Sequence, residues 1–283
     1  MNIDDVNWSR VAEPQSDGYD TRVVMQFAIE AGYRRRHPSG ESTLFDGAVA
    51  LRQDPVLLGY DGCQYAPPDH PNLAKAEALI RSWPVGFSQC GALLDSLCPY
   101  DYPRLGEDMI IGSVCGSGSW GFGSIVVTVN HHMGLAEGIV HEIAHHKLRA
   151  LGIDMEFSAG LVTNDPSEMY PSPIRYDSLR PMTAVVHAQY SYMHIAELDL
   201  MVLRHDSDPV RATAIRGLSL AVIIPKLEFG LKTIKQHARV DTKGDAFLKA
   251  FNAWSERVIE DGYADLKNHY IDVKPFLHPM VGK

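Results

Sequence analysis

GLAEGIVHEIAHHKLRAL, residues Gly134 to Leu151, carries the most informative local pattern in the chain. It reads as one helix closed by Gly152, the residue type that most readily takes the left-handed turn after a last helical residue. Within it, His141-Glu142-Ile143-Ala144-His145 forms an H-E-x-x-H pattern. Histidines four apart share one helix face with β-carbons about 5–6 Å apart, so both imidazoles reach a single ion. Glu142 stands about 100° round the helix from that face. His146 also points off it, which predicts a supporting or surface position rather than a ligand.

Working outward, Gly116 to Asn130 is Gly-rich and then turns into Ser-Ile-Val-Val-Thr-Val, a β-branched run that fits a strand leading into the motif helix. A phosphate loop is excluded there, because the lysine is missing and the glycines precede a strand instead of following one. Thr21 to Arg36 and Asn72 to Trp83 read as helices, and the Pro-punctuated remainder of Pro38 to Glu107 reads mainly as loops. Downstream, the spacing predicts a helix over Pro181 to Arg204, another from Asp208-Pro209 that bends at Pro225, and a last one over Asp245 to Asp261. No repeat or linker is evident. The expectation is one catalytic domain over residues 1–283, mainly α with a short β-sheet (α+β), its metal site between two packed antiparallel helices.

The chain has 283 residues and a formal charge of -9, which disfavours nucleic acid and anionic membranes as partners, since both need clustered Lys and Arg. The N-terminus lacks a basic start followed by an apolar run, and no stretch reaches membrane-spanning length, so a cytoplasmic protein is expected. Cys63, Cys90, Cys98 and Cys115 show no C-x-x-C spacing and are expected as reduced thiols without a chemical role.

A catalytic ion takes three protein groups and keeps open positions, so a third ligand is sought downstream. A thermolysin-like peptidase would take a glutamate from a second helix, and Glu197 is the available one. The metzincin continuation x-x-G-x-x-H is absent after His145. In TAVVHAQYSYMHIAEL, His187 is followed at i+3, i+4 and i+7 by Tyr190, Ser191 and His194, a polar stripe amid apolar neighbours. An isolated histidine in that setting is more often a hydrogen-bonded core residue than a ligand.

The histidine-rich helix, then YPSPIRYDSLRP from Tyr170 to Pro181, then His187 together resemble the bacterial HExxH-type peptide β-hydroxylases. The resemblance covers residues 134–203, about a quarter of the chain. It implies an oxygenase dependent on iron(II), 2-oxoglutarate and O₂ that hydroxylates the β-carbon of a residue in a ribosomally made precursor peptide, in natural-product tailoring. It implies His141, His145 and His187 as metal ligands. This departs from the usual two-His, one-carboxylate set, for which Glu197 or Asp177 would be the carboxylate.

Iron(II) that takes a bidentate co-substrate and O₂ has room for three protein ligands. The far carboxylate of 2-oxoglutarate wants a guanidinium fork, which Arg175 and Arg180 offer, with Arg180 favoured by its position at the predicted helix start. Ser172 and Tyr190 complete the candidate cofactor-binding set. Glu142 would orient a ligand or substrate in an oxygenase, and would be the general base in the main rival, a zinc peptidase. A metal-stabilised protein that only holds a precursor peptide is the third class.

Overall fold

The structure is a computed structural model that describes residues 5–36, 41–54, 62–103, 115–118, 120–174 and 178–273. In chain order its elements are α1 (Trp8–Val11), α2 (Tyr19–Glu30), β1 (Thr43–Leu44), β2 (Val49–Leu51), β3 (Gln64–Tyr65), α3 (Pro71–Arg81), α4 (Pro84–Leu93), β4 (Ser96–Asp101), β5 (Cys115–Ser117) and β6 (Ser124–Thr128). There follow α5 (His132–Ala150), β7 (Met169–Pro171), β8 (Leu179–Pro181), α6 (Met182–His205), α7 (Pro209–Ala214), a π-helix (Ile215–Leu220), α8 (Ala221–His237) and α9 (Thr242–Asn268). The fold is mainly α with a small mixed sheet, as the sequence predicts. No helix among the described residues is long and apolar enough to cross a membrane.

The sheet runs β1-β2-β4-β6-β5, with β3 added to β4. β6 is its pivot. Paired in parallel with β4 and antiparallel with β5, it is buried along its whole length, which is why SIVVT reads as an unbroken β-branched run instead of alternating. Its end is tied by Asn72, whose amide donates to the carbonyl oxygens of Val129 and Asn130 (2.7 and 3.2 Å). The imidazole of His131 then caps α5 by accepting from the backbone N–H of Met133 (3.2 Å). At the other end Gly152 takes φ +86° and closes α5 as expected.

Several boundaries differ from the sequence reading. α2 stops at Glu30, because Gly32 at φ +99° turns the chain out of the helix before the arginines. Pro84 begins a helix, α4, instead of breaking one, since a proline at the first helical position has no N–H to lose. The region read as loops also holds β1 to β4; β4 was masked by Pro99 in its interior. The expected bend at Pro225 is preceded by a widened turn, the π-helix Ile215–Leu220. α9 is longer at both ends than Asp245 to Asp261.

α5 and α6 pack against each other more extensively than any other pair of elements, and one apolar cluster runs from Val6 to Leu266 around them. On the back of α5, Lys147 is 0% exposed and its ammonium donates to Asp20 (2.8 Å), also 0% exposed, and to the Gln89 amide oxygen (3.3 Å). Gln89 in turn donates to Asp20 (2.6 Å), so α2, α4 and α5 are joined at one buried ion pair. Burial alone would lower the Lys147 ammonium, but Asp20 and Tyr190 together more than offset it and the net shift is upward. Removing one member of such a pair strands the other charge, at a cost of about 3–5 kcal/mol. Asp20→Asn and Lys147→Met are each expected to lose that much in urea unfolding, with the double variant Asp20→Leu/Lys147→Met less destabilised than the sum. Single losses under about 1 kcal/mol would contradict the assignment of this pair as the joint.

Candidate metal centre

α5 and α6 run antiparallel, so His145 meets His187 while His141 meets Tyr192, at a ring-centroid distance of 5.7 Å. His141 Nε2 lies 3.0 Å from His145 Nε2. That is the separation of adjacent donors around an ion held at about 2.1 Å, so the i, i+4 pair is set at chelating distance. On the other edge of the same ring, His145 Nδ1 lies 2.8 Å from His187 Nδ1. His187 Nε2 is 2.9 Å from the carbonyl oxygen of Ile153, to which it donates. The donated proton fixes the tautomer: His187 Nδ1 accepts from His145 Nδ1–H, which leaves the His145 Nε2 lone pair facing His141. Metal-bound imidazoles are commonly anchored by a carbonyl in this way.

Burial pushes His141 and His187 down to about 4 and His145 well below its ordinary value, because a charged imidazolium is disfavoured away from water. Neutral rings with available lone pairs are the form a metal needs. The Nε2 atoms of His141 and His145 stand at chelating spacing on the cavity wall, whereas His187 meets the opposite edge of the His145 ring and is off that wall.

On the far side of His141, ligand atoms of Cys115, His141 and Glu142 all lie within 4.8 Å of one another. Cys115 was expected to have no role; the antiparallel pairing of β5 with β6 brings it over α5. Burial, then Glu142, raises its thiol well above the ordinary value, and burial raises Glu142 to about 7. The thiol holds its proton toward Glu142. Glu142 does not line the adjoining cavity, whereas Cys115, His141 and His145 do.

That cavity is about 840 Å³ and mostly apolar, within the range of small-molecule sites. Ser172, Arg180 and Ser191 are on its wall. Arg180 sits in β8 opposite Tyr170 of β7 and is solvent-exposed. Arg175 and Asp177 lie outside the described residues. Tyr190 is not on the wall: it is fully buried against Phe251 and Trp254, with the Lys147 ammonium 5.6 Å from its ring centroid, because a 100° step turns it away from the face that Ser191 presents. Its assignment to cofactor binding is therefore corrected. Glu197 accepts from the Trp254 indole (3.1 Å) and is likewise off the wall. His194 is a core histidine donating to the Tyr190 carbonyl (2.8 Å). His146 is buried against Phe122 and donates to the Ser124 carbonyl (3.2 Å), off the metal face as expected.

Two cavity residues escaped the sequence reading. Lys226 of α8 stands half-buried on the wall, and burial lowers its ammonium. Glu137 precedes His141 by four residues, a spacing that already placed it on the metal face. No protein-family profile matches the chain, and no curated protein matches it.

Removing a residue that only orients a ligand typically costs about 10–100-fold in metal affinity. His141→Ala and His187→Ala are each expected to exceed that loss in competitive zinc titration, with Cys115→Ser close to wild type. A loss within that range for His187→Ala, alongside a larger one for Cys115→Ser, would move the third ligand to Cys115.

Proposed function

We propose that the protein is an iron(II)- and 2-oxoglutarate-dependent oxygenase that hydroxylates an unactivated carbon, the β-carbon on the resemblance, of a residue in a ribosomally made peptide. One observation carries this over the zinc peptidase: the α6 side chain against the motif histidines is His187, while Glu197, the carboxylate a peptidase would use, is bonded to Trp254. The reading agrees with the resemblance of residues 134–203 to the HExxH-type peptide β-hydroxylases.

His141 and His145, and on the resemblance His187, would hold the iron, which when bound supplies the one-electron oxygen chemistry that side chains lack. Ile153 keeps His187 in the tautomer that offers Nδ1. Glu142, off the cavity wall and against Cys115, supports the motif helix instead of handling a substrate proton. Arg180 and Lys226 are the cations on the wall, and together they suit the far carboxylate of 2-oxoglutarate. Met155, Met169, Leu179 and Leu218 line the cavity yet stand exposed, 36–51% each. Such an apolar rim is what an extended peptide covers when it docks.

Loaded anaerobically with iron(II) and then exposed to air, the protein is expected to convert 2-oxoglutarate to succinate, and zinc is expected to occupy the site without supporting this. Peptide cleavage by the zinc form, with no 2-oxoglutarate consumed by the iron form, would replace the oxygenase with a peptidase. Glu142→Gln separates the two independently: an oxygenase keeps measurable turnover, whereas a peptidase loses its base.

Arg180→Ala combined with Lys226→Met is expected to raise the half-saturating 2-oxoglutarate concentration about tenfold or more while iron content stays unchanged. Unaltered saturation would place the carboxylate elsewhere.

A further inference from the structure

The cavity that holds the histidines is also lined by Glu137. Four residues before His141 on α5, Glu137 shares the metal face at a β-carbon separation of about 6 Å. It lines the cavity yet is only 7% exposed, and its Oε1 has no hydrogen-bond partner. From α6, the fully buried Asp199 stands close enough for its charge to act on Glu137. One Asp199 oxygen accepts from the Ser219 hydroxyl at 2.5 Å, and the other has no partner. Ser219 belongs to the π-helix and lines the same cavity. Widened turns of this kind recur where a helix is reshaped around a ligand.

Two buried carboxylates with unpartnered oxygens are costly unless something positive reaches them. Burial first, and then the Asp199 charge, push Glu137 well above the ordinary carboxylate range, with only the Ser219 hydroxyl opposing. A hard divalent ion is a poor occupant, because it asks for six or more oxygens where two carboxylates and a hydroxyl are present. An ammonium or guanidinium needs only a few acceptors and, with one carboxyl of the pair protonated, balances its remaining charge. Ile195, Val222 and Ile223 line the same cavity as Glu137. An aliphatic stem ending in a cation suits a wall that combines apolar side chains with a buried acid.

We propose that Glu137, backed by Asp199 and Ser219, recognises a basic side chain of the lysine or arginine class on the peptide substrate. The stem lies against Ile195, Val222 and Ile223, and the cationic head meets Glu137. The word substrate rests on the oxygenase reading; recognition of the cation needs neither iron nor turnover. Glu156, the other carboxylate on the wall, is exposed at the rim and does not share this role.

The test is calorimetric titration of the zinc-loaded full chain with two acetylated pentapeptides that differ only in a central lysine or norleucine. The lysine peptide is expected to bind about tenfold or more tightly. Glu137→Gln is expected to bring the two within about twofold at unchanged zinc content, and Glu156→Gln to keep the preference. Equal binding by the wild type overturns the proposal, as does a preference that survives Glu137→Gln. Should Glu137→Gln fail to fold, the wild-type comparison still decides, and Ser219→Ala is expected to weaken the preference. A lysine preference without 2-oxoglutarate turnover leaves the pocket standing and removes the oxygenase; turnover without the preference removes the pocket alone.

Discussion

α5 is buried on nearly every side, and the other elements are arranged around it. Polar side chains in such a helix need partners, and α5 carries six in eleven residues, Glu137, His141, Glu142, His145, His146 and Lys147, of which Glu137 keeps one oxygen without a partner. Each partner comes from a different direction. Lys147 takes Asp20 from α2, and His146 takes a carbonyl of β6. Glu142 takes Cys115 from β5, and His145 takes His187 from α6. The α-helical step of about 100° sorts these residues into a structural back and a chemical front. The back locks the N-terminal helices and the sheet to α5, while the front opens on the cavity.

That division explains why the motif helix and its surroundings were legible in the sequence while the cavity was only partly so. Two histidines four apart, a glycine stop and a β-branched run before the helix are local signals, and all three match what the chain does at His141, His145, Gly152 and β6. His187 stood out because a polar stripe on an apolar helix demands a reason. Its contact with His145 supplies one, whereas its neighbour Tyr190 turned out to answer a different demand, the packing around Lys147. Cys115 could not be read, because it reaches Glu142 only through the antiparallel pairing of β5 with β6, which no local spacing encodes. Lys226 was hidden for the same reason. A lone lysine in AVIIPKLEFGL resembles a solvated helix position until α8 is folded against α6.

The cavity is arranged by charge. Cations at Arg180 and Lys226, neutral imidazoles at the metal position and carboxylates at Glu137 and Asp199 line one mostly apolar space. On the proposed reading, these charges sort the anionic co-substrate toward the cations and the basic peptide side chain toward the carboxylates. In a desolvated cleft such sorting governs orientation more than raw affinity. It also gives the π-helix a purpose, since the widened turn carries Ser219 against the acidic end.

On the proposed reading the ion is held by nitrogen from both α5 and α6, with His187 as the third donor. X-ray absorption on the zinc-loaded protein measures this. Scattering from three imidazoles at about 2.0–2.1 Å is expected, one of them lost in His187→Ala, with no sulfur. A sulfur shell at about 2.3 Å, or an imidazole count unchanged by His187→Ala, would contradict it.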